Sequence, residues 1–293
     1  MTLLVTGAGG QVGQELARLC TKAKGDAVLL TRQDLDITNA DAVAAKIEAR
    51  QPIMVVNAAA YTAVDRAEEE VEQANAVNRD APGHLARACA QAGIPLIHIS
   101  TDYVFDGTKD GPYSETDPVH PLGVYGASKE AGERAVREAH RDHIILRTSW
   151  VYAAHGQNFV RTMLQVGAER DALGVVNDQH GTPTSAADIA AAVLAIADRI
   201  AAGKRDGWGT YHYTAKQATT WHGFAAEIFE QANLVKSPTV DAIPTSAYPT
   251  PAARPANSVL DCRLIDIVFA PPRRPWQEGL ADVLDELLQQ SGD

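Results

Sequence analysis

Tyr125-Gly-Ala-Ser-Lys129 sets a phenol and an ammonium at i and i+4, one above the other on a helix face. A phenol titrating near pH 10 is a poor acid or base at neutral pH, and a neighbouring cation brings its titration nearer the working range. Such a pair can move a proton to or from a sugar oxygen. Upstream, Ser100-Thr101-Asp102-Tyr103-Val104-Phe105 closes an apolar run, where the Thr101 hydroxyl can hydrogen-bond the same oxygen. A third feature, Gly7-Ala-Gly-Gly10-Gln-Val-Gly13, follows the first apolar run. Glycines there let the backbone approach a pyrophosphate, and free N–H groups opening a helix hold the anion without any lysine. The spacing is G-x-x-G-x-x-G over Gly7, Gly10 and Gly13, not the strict G-x-G-x-x-G fingerprint, and Gly9 is incidental to it. Hydroxyl, phenol, ammonium and glycine loop together point to a dinucleotide-dependent enzyme.

Coenzyme choice is read where the second strand ends, at Thr31-Arg32. An acidic residue at that place binds a ribose 2′-hydroxyl, whereas an arginine accommodates a 2′-phosphate. Arg32 tilts the reading toward NADPH, and the nearby Asp34 and Asp36 leave NADH open. Asn57-Ala-Ala-Ala60 ends the third strand with side chains too small to block a cofactor lying across the strand ends.

These residues need a frame, and the first half of the chain supplies one. Short apolar runs at residues 3–6, 27–30, 53–57, 96–100 and 144–147 alternate with helix patterns at 11–20, 40–50, 70–92 and 125–140. Thr38 and Asn39 are N-cap signals for the second helix. Buried strands covered on both faces by helices give an α/β fold, a Rossmann-type doubly wound parallel sheet. After Trp150, a helix at 158–170, a strand at 174–176 and an alanine-rich helix from Ala186 read as a continuation of that sheet layer. Beyond Lys204 come Trp208, Tyr211, Tyr213 and Trp221, then prolines from 238 to 255, which suit a second lobe. The expected division is a dinucleotide-binding domain at 1–150, to which the chain returns at about 172–203. A smaller C-terminal α/β substrate-binding lobe takes 151–171 and 204–293.

Composition sets the outer limits. A chain of 293 residues with 45% hydrophobic content can bury a large core, and 37 acidic against 26 basic residues give a net charge of −11. No basic field is available for nucleic acid or an anionic membrane, so anionic ligands must be small and held locally. Cys20, Cys89 and Cys262 lack metal or disulfide spacing and read as buried residues in a reducing cytosol. The N-terminus has no basic region before its apolar residues and does not read as a signal peptide. The apolar stretch 186–202 is interrupted by Asp188, Asp198 and Arg199 and is too short to span a bilayer. The expectation is a soluble, cytoplasmic monomer or homodimer. Glu68-Glu69-Glu70 reads as a solvated helix start.

The glycine loop, the strand-end hydroxyl and the Tyr-Lys pair resemble the extended short-chain dehydrogenase/reductase family. Within it, Asn57-Ala-Ala-Ala-Tyr-Thr-Ala-Val-Asp65, Ser100-Thr-Asp-Tyr-Val-Phe-Asp-Gly107, Arg147-Thr-Ser-Trp-Val-Tyr152 and Asp178-Gln-His-Gly-Thr-Pro-Thr184 are similar to segments of the dTDP-4-dehydrorhamnose reductases, from residue 1 to about 265. The resemblance implies hydride transfer from NADPH to the C4 ketone of dTDP-4-dehydro-L-rhamnose, with Thr101, Tyr125 and Lys129 as the catalytic set. Tyr125 would protonate the alkoxide, Lys129 would hold the nicotinamide ribose and lower the Tyr125 pKa, and Thr101 would position the carbonyl. It implies a cofactor cradle of Gln11, Val12, Asp36, Ile37, Ala60, Tyr61 and Thr62 beside the glycines. It places Asp102, Tyr103 and Trp150 around the sugar, with Arg254 of Arg254-Pro-Ala-Asn-Ser258 pairing with the diphosphate. Some reductases of this family dimerise around Mg2+ held by carboxylates near Glu15 and on the helix after Gly181-Thr-Pro-Thr184. Here Ser185-Ala-Ala-Asp188 is a poorer supply, and no metal is expected. Two alternatives stay open: a sugar-nucleotide 4-epimerase or dehydratase of the same fold, and a nucleotide-binding regulatory subunit like that of methionine adenosyltransferase.

Overall fold

A computed structural model describes residues 2–22, 26–204, 206–234 and 236–290. The first half runs β1 (Thr2–Thr6), α1 (Gln11–Lys22), β2 (Asp26–Leu30), α2 (Ala40–Arg50), β3 (Met54–Asn57), α3 (Val64–Ala67), α4 (Val71–Asn75), α5 (Ala81–Ala92), β4 (Leu96–Thr101), α6 (Val124–Ala139) and β5 (His143–Thr148). The second half runs β6 (Val151–Tyr152), α7 (Phe159–Glu169), β7 (Ala172–Val176), β8 (His180–Gly181), β9 (Thr184–Ser185), α8 (Ala186–Ala201), β10 (Gly209–His212), β11 (Thr219–Thr220), α9 (Trp221–Ala232), β12 (Thr239–Ile243), α10 (Arg263–Val268) and α11 (Trp276–Gln290).

Six strands form one sheet in the order β2-β1-β3-β4-β5-β10, every neighbouring pair parallel. Strand alternation sends successive side chains to opposite faces, so each strand feeds two cores. Leu3 and Val5 join Val12 and Leu16 of α1 and Ile189, Val193 and Ile196 of α8 on one face. Leu4 joins Val43 and Ile47 of α2, Leu85 of α5 and Val136 of α6 on the other. The strand order reverses at β1, between β2 and β3, and crevices outside the carboxyl ends at such switch points receive ligands. The loop after β1 carries the glycines.

Local signals explain most boundaries. Asn39 caps α2 by accepting from the Ala42 N–H at 3.0 Å, while Thr38 donates to Asp36 instead. Ser185 and Asn158 cap α8 and α7 in the same way.

The structure departs from the sequence reading at three places. The helix expected at 70–92 is two helices, α4 and α5, separated by a π-helical turn over Ala76–Asp80. An extra backbone residue per turn breaks the 3.6 period, and no composition signal announces it. The strand expected to continue the main sheet at 174–176 belongs to β7, which pairs in parallel with β12 in a separate two-stranded sheet. The sixth place in the main sheet goes to β10, from the stretch assigned to the lobe, because its alternating Tyr211 buries against α8. The lobe's own core gathers Tyr152, Val160, Phe224, Ile228, Trp276 and Leu280 from α7, α9 and α11. Among the described residues no helix is long and apolar enough to cross a membrane.

Candidate active site

The glycine loop is shaped by close contacts. Gly7 sits at φ +74°, and a Cβ there would strike the Ala58–Ala59 backbone; a Cβ on Gly13 would strike the Gly7 carbonyl oxygen. Gly10 is less crowded: a Cβ there would meet only the Gly7 oxygen, at 3.3 Å, a tight contact relieved by a shift of a few tenths of an ångström. A cradle kept open at Gly10, just ahead of the N-terminus of α1, fits a pyrophosphate of a dinucleotide. Gln11 opens α1 with its side-chain oxygen bonded to Asn158 Nδ2 at 2.9 Å, which ties the cradle to the lobe. Val12 and Ile37 are buried in the core, so of the expected cradle they have only their backbone to offer. Tyr61 is oriented by Asn78, whose side chain bonds both its N–H and its carbonyl, and its hydroxyl donates to Glu70 at 2.6 Å. Ala60 and Thr62 flank it on the same loop.

At the far end of β2, Asp34 accepts from Thr31 N–H and hydroxyl, and Asp36 accepts from Thr38 N–H and hydroxyl. Both carboxylates are held low by those bonds. They close local turns, which leaves Arg32, exposed, as the side chain at the strand end able to turn to an anion.

Thr101 ends β4. Its hydroxyl accepts from Tyr103 N–H at 3.2 Å, capping the short turn Asp102–Val104, and donates to Asp102 Oδ1 at 3.0 Å. Helix α6 comes so near this turn that a Cβ on Gly126 would strike the Tyr103 carbonyl, which is why glycine follows Tyr125. The approach brings the Tyr125 ring edge-on to Tyr103, centroids 5.8 Å apart, with its phenol beside the Thr101 hydroxyl. One turn on, Lys129 is buried and donates to the Ile99 carbonyl at 2.7 Å. Tyr125 and Thr101 therefore lie side by side, with Lys129 one helical turn further on and held by the Ile99 carbonyl.

The electrostatics differ from expectation in one respect. Desolvation pushes the Tyr125 phenol up to about 12, opposed by the Thr101 hydroxyl and reinforced by Asp102, so the anticipated lowering by Lys129 is absent. Lys129 is itself lowered by burial to about 8, with Glu133 opposing. A phenol held protonated across neutral pH is an acid ready to give a proton, as the reductive direction requires.

Trp150 adopts a left-handed φ of +47°, and its indole stacks on Trp221 with centroids 3.6 Å apart. Its Nε1 edge packs against Gly181, so close that a Cβ there would strike the indole. Arg254 is engaged: Nη2 lies 2.9 Å from each oxygen of Asp65 and Nη1 donates to the Ala252 carbonyl. Glu68, read as solvated, accepts the Val124 N–H at 2.8 Å and so caps α6 from another segment.

Sequence reasoning missed Asp65, Asn78, Glu133, Trp221 and Ser258. Glu133 continues the Tyr125–Lys129 spacing by one further turn and was findable. It is fully buried, bonded to Arg147 at 2.7 and 2.9 Å and to Ser100 at 2.6 Å. Asn78 carried no signal, because it sits in the π-helical turn and reaches Ser128 of α6 at 3.1 Å only through the tertiary fold.

The carboxylates tied to magnesium by resemblance do not fit a metal. Glu15 faces Arg18 at 2.7 Å and His155 at 3.6 Å, and Asp188 faces Arg274 at 3.0 Å; Glu286, not among those the resemblance names, also faces Arg18, at 3.3 Å. Each carboxylate is matched by a cation, and among the described residues no group of three or more His, Cys, Asp and Glu side chains has metal-binding geometry.

A doubly wound parallel sheet, a glycine cradle at its switch point and a Thr-Tyr-Lys set at the strand ends define an extended short-chain dehydrogenase/reductase. Similarity is more specific than that class. The family described as RmlD substrate binding domain matches residues 1–289. A dTDP-4-dehydrorhamnose reductase of Aggregatibacter actinomycetemcomitans is 46% identical, over 96% of this chain and 97% of its own. Among solved structures, a dTDP-4-dehydrorhamnose reductase from Clostridium acetobutylicum superposes with TM-score 0.92 at 38% identity, covering 98% of this chain and 100% of its own. Another, from Bacillus anthracis in complex with NADP, gives 0.89 at 36%, covering 97% and 99%. The chain belongs to the dTDP-4-dehydrorhamnose reductase family, whose members are NAD(P)H-dependent oxidoreductases.

Proposed function

We propose that this chain reduces the C4 ketone of dTDP-4-dehydro-L-rhamnose to give dTDP-L-rhamnose, with NADPH as the preferred coenzyme. The observation that carries the reading is Tyr125 beside Thr101, with Lys129 one turn on, at the carboxyl ends of the central strands and on the same edge of the sheet as the glycine cradle. Bound NADPH would supply the hydride. Thr101 and Tyr125 present two hydroxyls to one substrate oxygen, so the ketone is polarised as it is held. Tyr125, protonated at working pH, neutralises the developing alkoxide. Lys129, one turn beyond Tyr125 and anchored on the Ile99 carbonyl, would bond the ribose that carries the nicotinamide. Arg32, with Asp34 and Asp36 engaged in turns, favours a 2′-phosphate, in keeping with the NADP held by the Bacillus anthracis relative.

The assay is oxidation of NADPH in the presence of the 4-keto sugar nucleotide. Turnover with a preference for NADPH over NADH is expected. No turnover with either coenzyme at high protein concentration sinks the reading.

A further inference from the structure

Reduction consumes a proton, so a tyrosine that donates one must be reloaded before the next cycle, and the neighbourhood of Tyr125 holds a group suited to that step. Asp102 is 2% exposed, and its Oδ2 has no hydrogen-bond partner. A buried carboxylate with one oxygen left unpartnered is costly when charged, a cost that protonation removes. Its other oxygen, Oδ1, is bonded to the Thr101 hydroxyl at 3.0 Å, and that hydroxyl adjoins the Tyr125 phenol. The carboxyl is thus bonded to the hydroxyl, and the phenol lies beside that hydroxyl.

We infer that Asp102 is a proton reservoir that reloads Tyr125 through the Thr101 hydroxyl after each reduction. The inference rests on the reductase reading above. The step balances without a further reactant. Once Tyr125 has given its proton to the C4 alkoxide, the Thr101 hydroxyl turns its O–H to the phenolate. Thr101 Oγ1 passes that proton on as it takes the one from the Asp102 carboxyl. Tyr125 and Thr101 return to their starting forms, and Asp102 is left as carboxylate until solvent reprotonates it after product leaves.

The surroundings agree with this role. Burial raises Asp102 to about 7, opposed by the Ser258 and Thr101 hydroxyls, so it gives and regains a proton near neutrality. The titratable groups facing it are the phenols of Tyr103 on its own turn and Tyr125 on α6; Arg254 and Asp65 lie beyond Tyr103, and Lys129 a turn beyond Tyr125. The route ends on a carboxyl of the protein itself, independent of the Lys129 ammonium.

The test compares wild type with Asp102→Asn, a near-isosteric side chain that cannot supply the proton, and with Asp102→Glu. Single-turnover hydride transfer and steady-state kcat are both followed by NADPH absorbance from pH 5.5 to 9. For Asp102→Asn the ratio of kcat to the first-turnover rate should fall at least tenfold, because the first proton is already on Tyr125. The decline of wild-type kcat as pH rises through about 7 should be lost, and Asp102→Glu should restore part of the ratio. Equal loss in both phases, an unchanged ratio, or a retained decline in kcat overturns the inference, since a purely structural or substrate-contacting Asp102 would give one of these. A wild type that never oxidises NADPH with the 4-keto sugar nucleotide overturns the reductase reading, and the reservoir with it.

Discussion

Arg254 joins the two halves of the molecule through Asp65, its Nη2 placed 2.9 Å from both carboxylate oxygens. The same carboxylate accepts the Ala252 N–H at 3.2 Å, so the segment before Arg254 is fastened to α3 beside the cleft. A guanidinium that meets a diphosphate from this position must share or leave Asp65.

Releasing that guanidinium gives the first prediction. In Asp65→Asn the carboxylate charge is gone, and the KM for the sugar nucleotide should fall by about two- to fivefold, the worth of a partly exposed ion pair. Arg254→Ala should raise KM by tenfold or more with a smaller effect on kcat. The check is steady-state kinetics at two salt concentrations, where Asp65→Asn should also show the steeper salt dependence. A higher KM in Asp65→Asn would mean that Asp65 positions Arg254 for the diphosphate.

Glu133 lies one turn beyond Lys129 on α6 and opposes the burial that lowers it to about 8. Removing the Glu133 charge takes away the one influence raising Lys129, so the ammonium should deprotonate at lower pH. The basic limb of kcat/KM should then move to lower pH in Glu133→Gln. Reloading of Tyr125 follows hydride transfer and affects kcat alone, so the two limbs are separable. Glu133→Gln strands the buried Arg147 and should cost about 3–5 kcal/mol. Glu133→Gln combined with Arg147→Met should recover much of that stability in a denaturant melt while keeping the pH shift.

The frame was legible because it rests on local rules. Short apolar runs separated by helix periodicity specify a buried parallel sheet, and Tyr125 and Lys129 lie together by helix geometry alone. What stayed hidden depends on distance along the chain. Asp65 and Arg254 are 189 residues apart, and Trp150 and Trp221 stack from separate segments. The rise in the Tyr125 pKa is of the same kind, since desolvation is a property of the packed site and not of the Y-x-x-x-K spacing. The place of β10 in the sheet was hidden for a further reason: an edge strand of four residues is too short for alternation to stand out from the aromatic stretch around it.

Tyr125 separates a catalyst from a protein that only binds nucleotide. Tyr125→Phe removes the proton donor and keeps the ring against Tyr103. It should lower kcat by about 100- to 10,000-fold, with NADPH affinity within about twofold of wild type by fluorescence titration. A binding subunit would keep its function in the same variant.

Coenzyme preference should follow Arg32. With Asp34 and Asp36 already bonded to Thr31 and Thr38, Arg32 is the cation at this strand end that suits a 2′-phosphate. Loss of one charge-assisted contact is worth about 1.5–3 kcal/mol, so Arg32→Ala should raise the KM for NADPH by tenfold or more. The KM for NADH should stay within about twofold, and parallel KM measurements with both coenzymes give the answer.

The glycine loop allows fold and cofactor binding to be pulled apart. A Cβ on Gly13 runs into the Gly7 carbonyl, so Gly13→Ala must shift the start of α1 against β1. Overpacking of this kind costs about 1–3 kcal/mol, and each kcal/mol lowers Tm by about 2–4 °C in a chain of this size. Gly9→Ala meets nothing within 4 Å and should match wild type in both stability and coenzyme affinity. Gly10→Ala is the informative case. Its Cβ would meet only the Gly7 oxygen, at 3.3 Å, which must give by a few tenths of an ångström, so the fold should melt within a few degrees of wild type and well above Gly13→Ala. That Cβ would occupy the space through which the backbone approaches the pyrophosphate, and NADPH affinity should drop at least tenfold. Calorimetric melting with and without NADPH reads both quantities: an apo Tm near wild type, with the NADPH-induced rise in Tm diminished. An undiminished rise in Gly10→Ala would place the pyrophosphate elsewhere on the sheet edge.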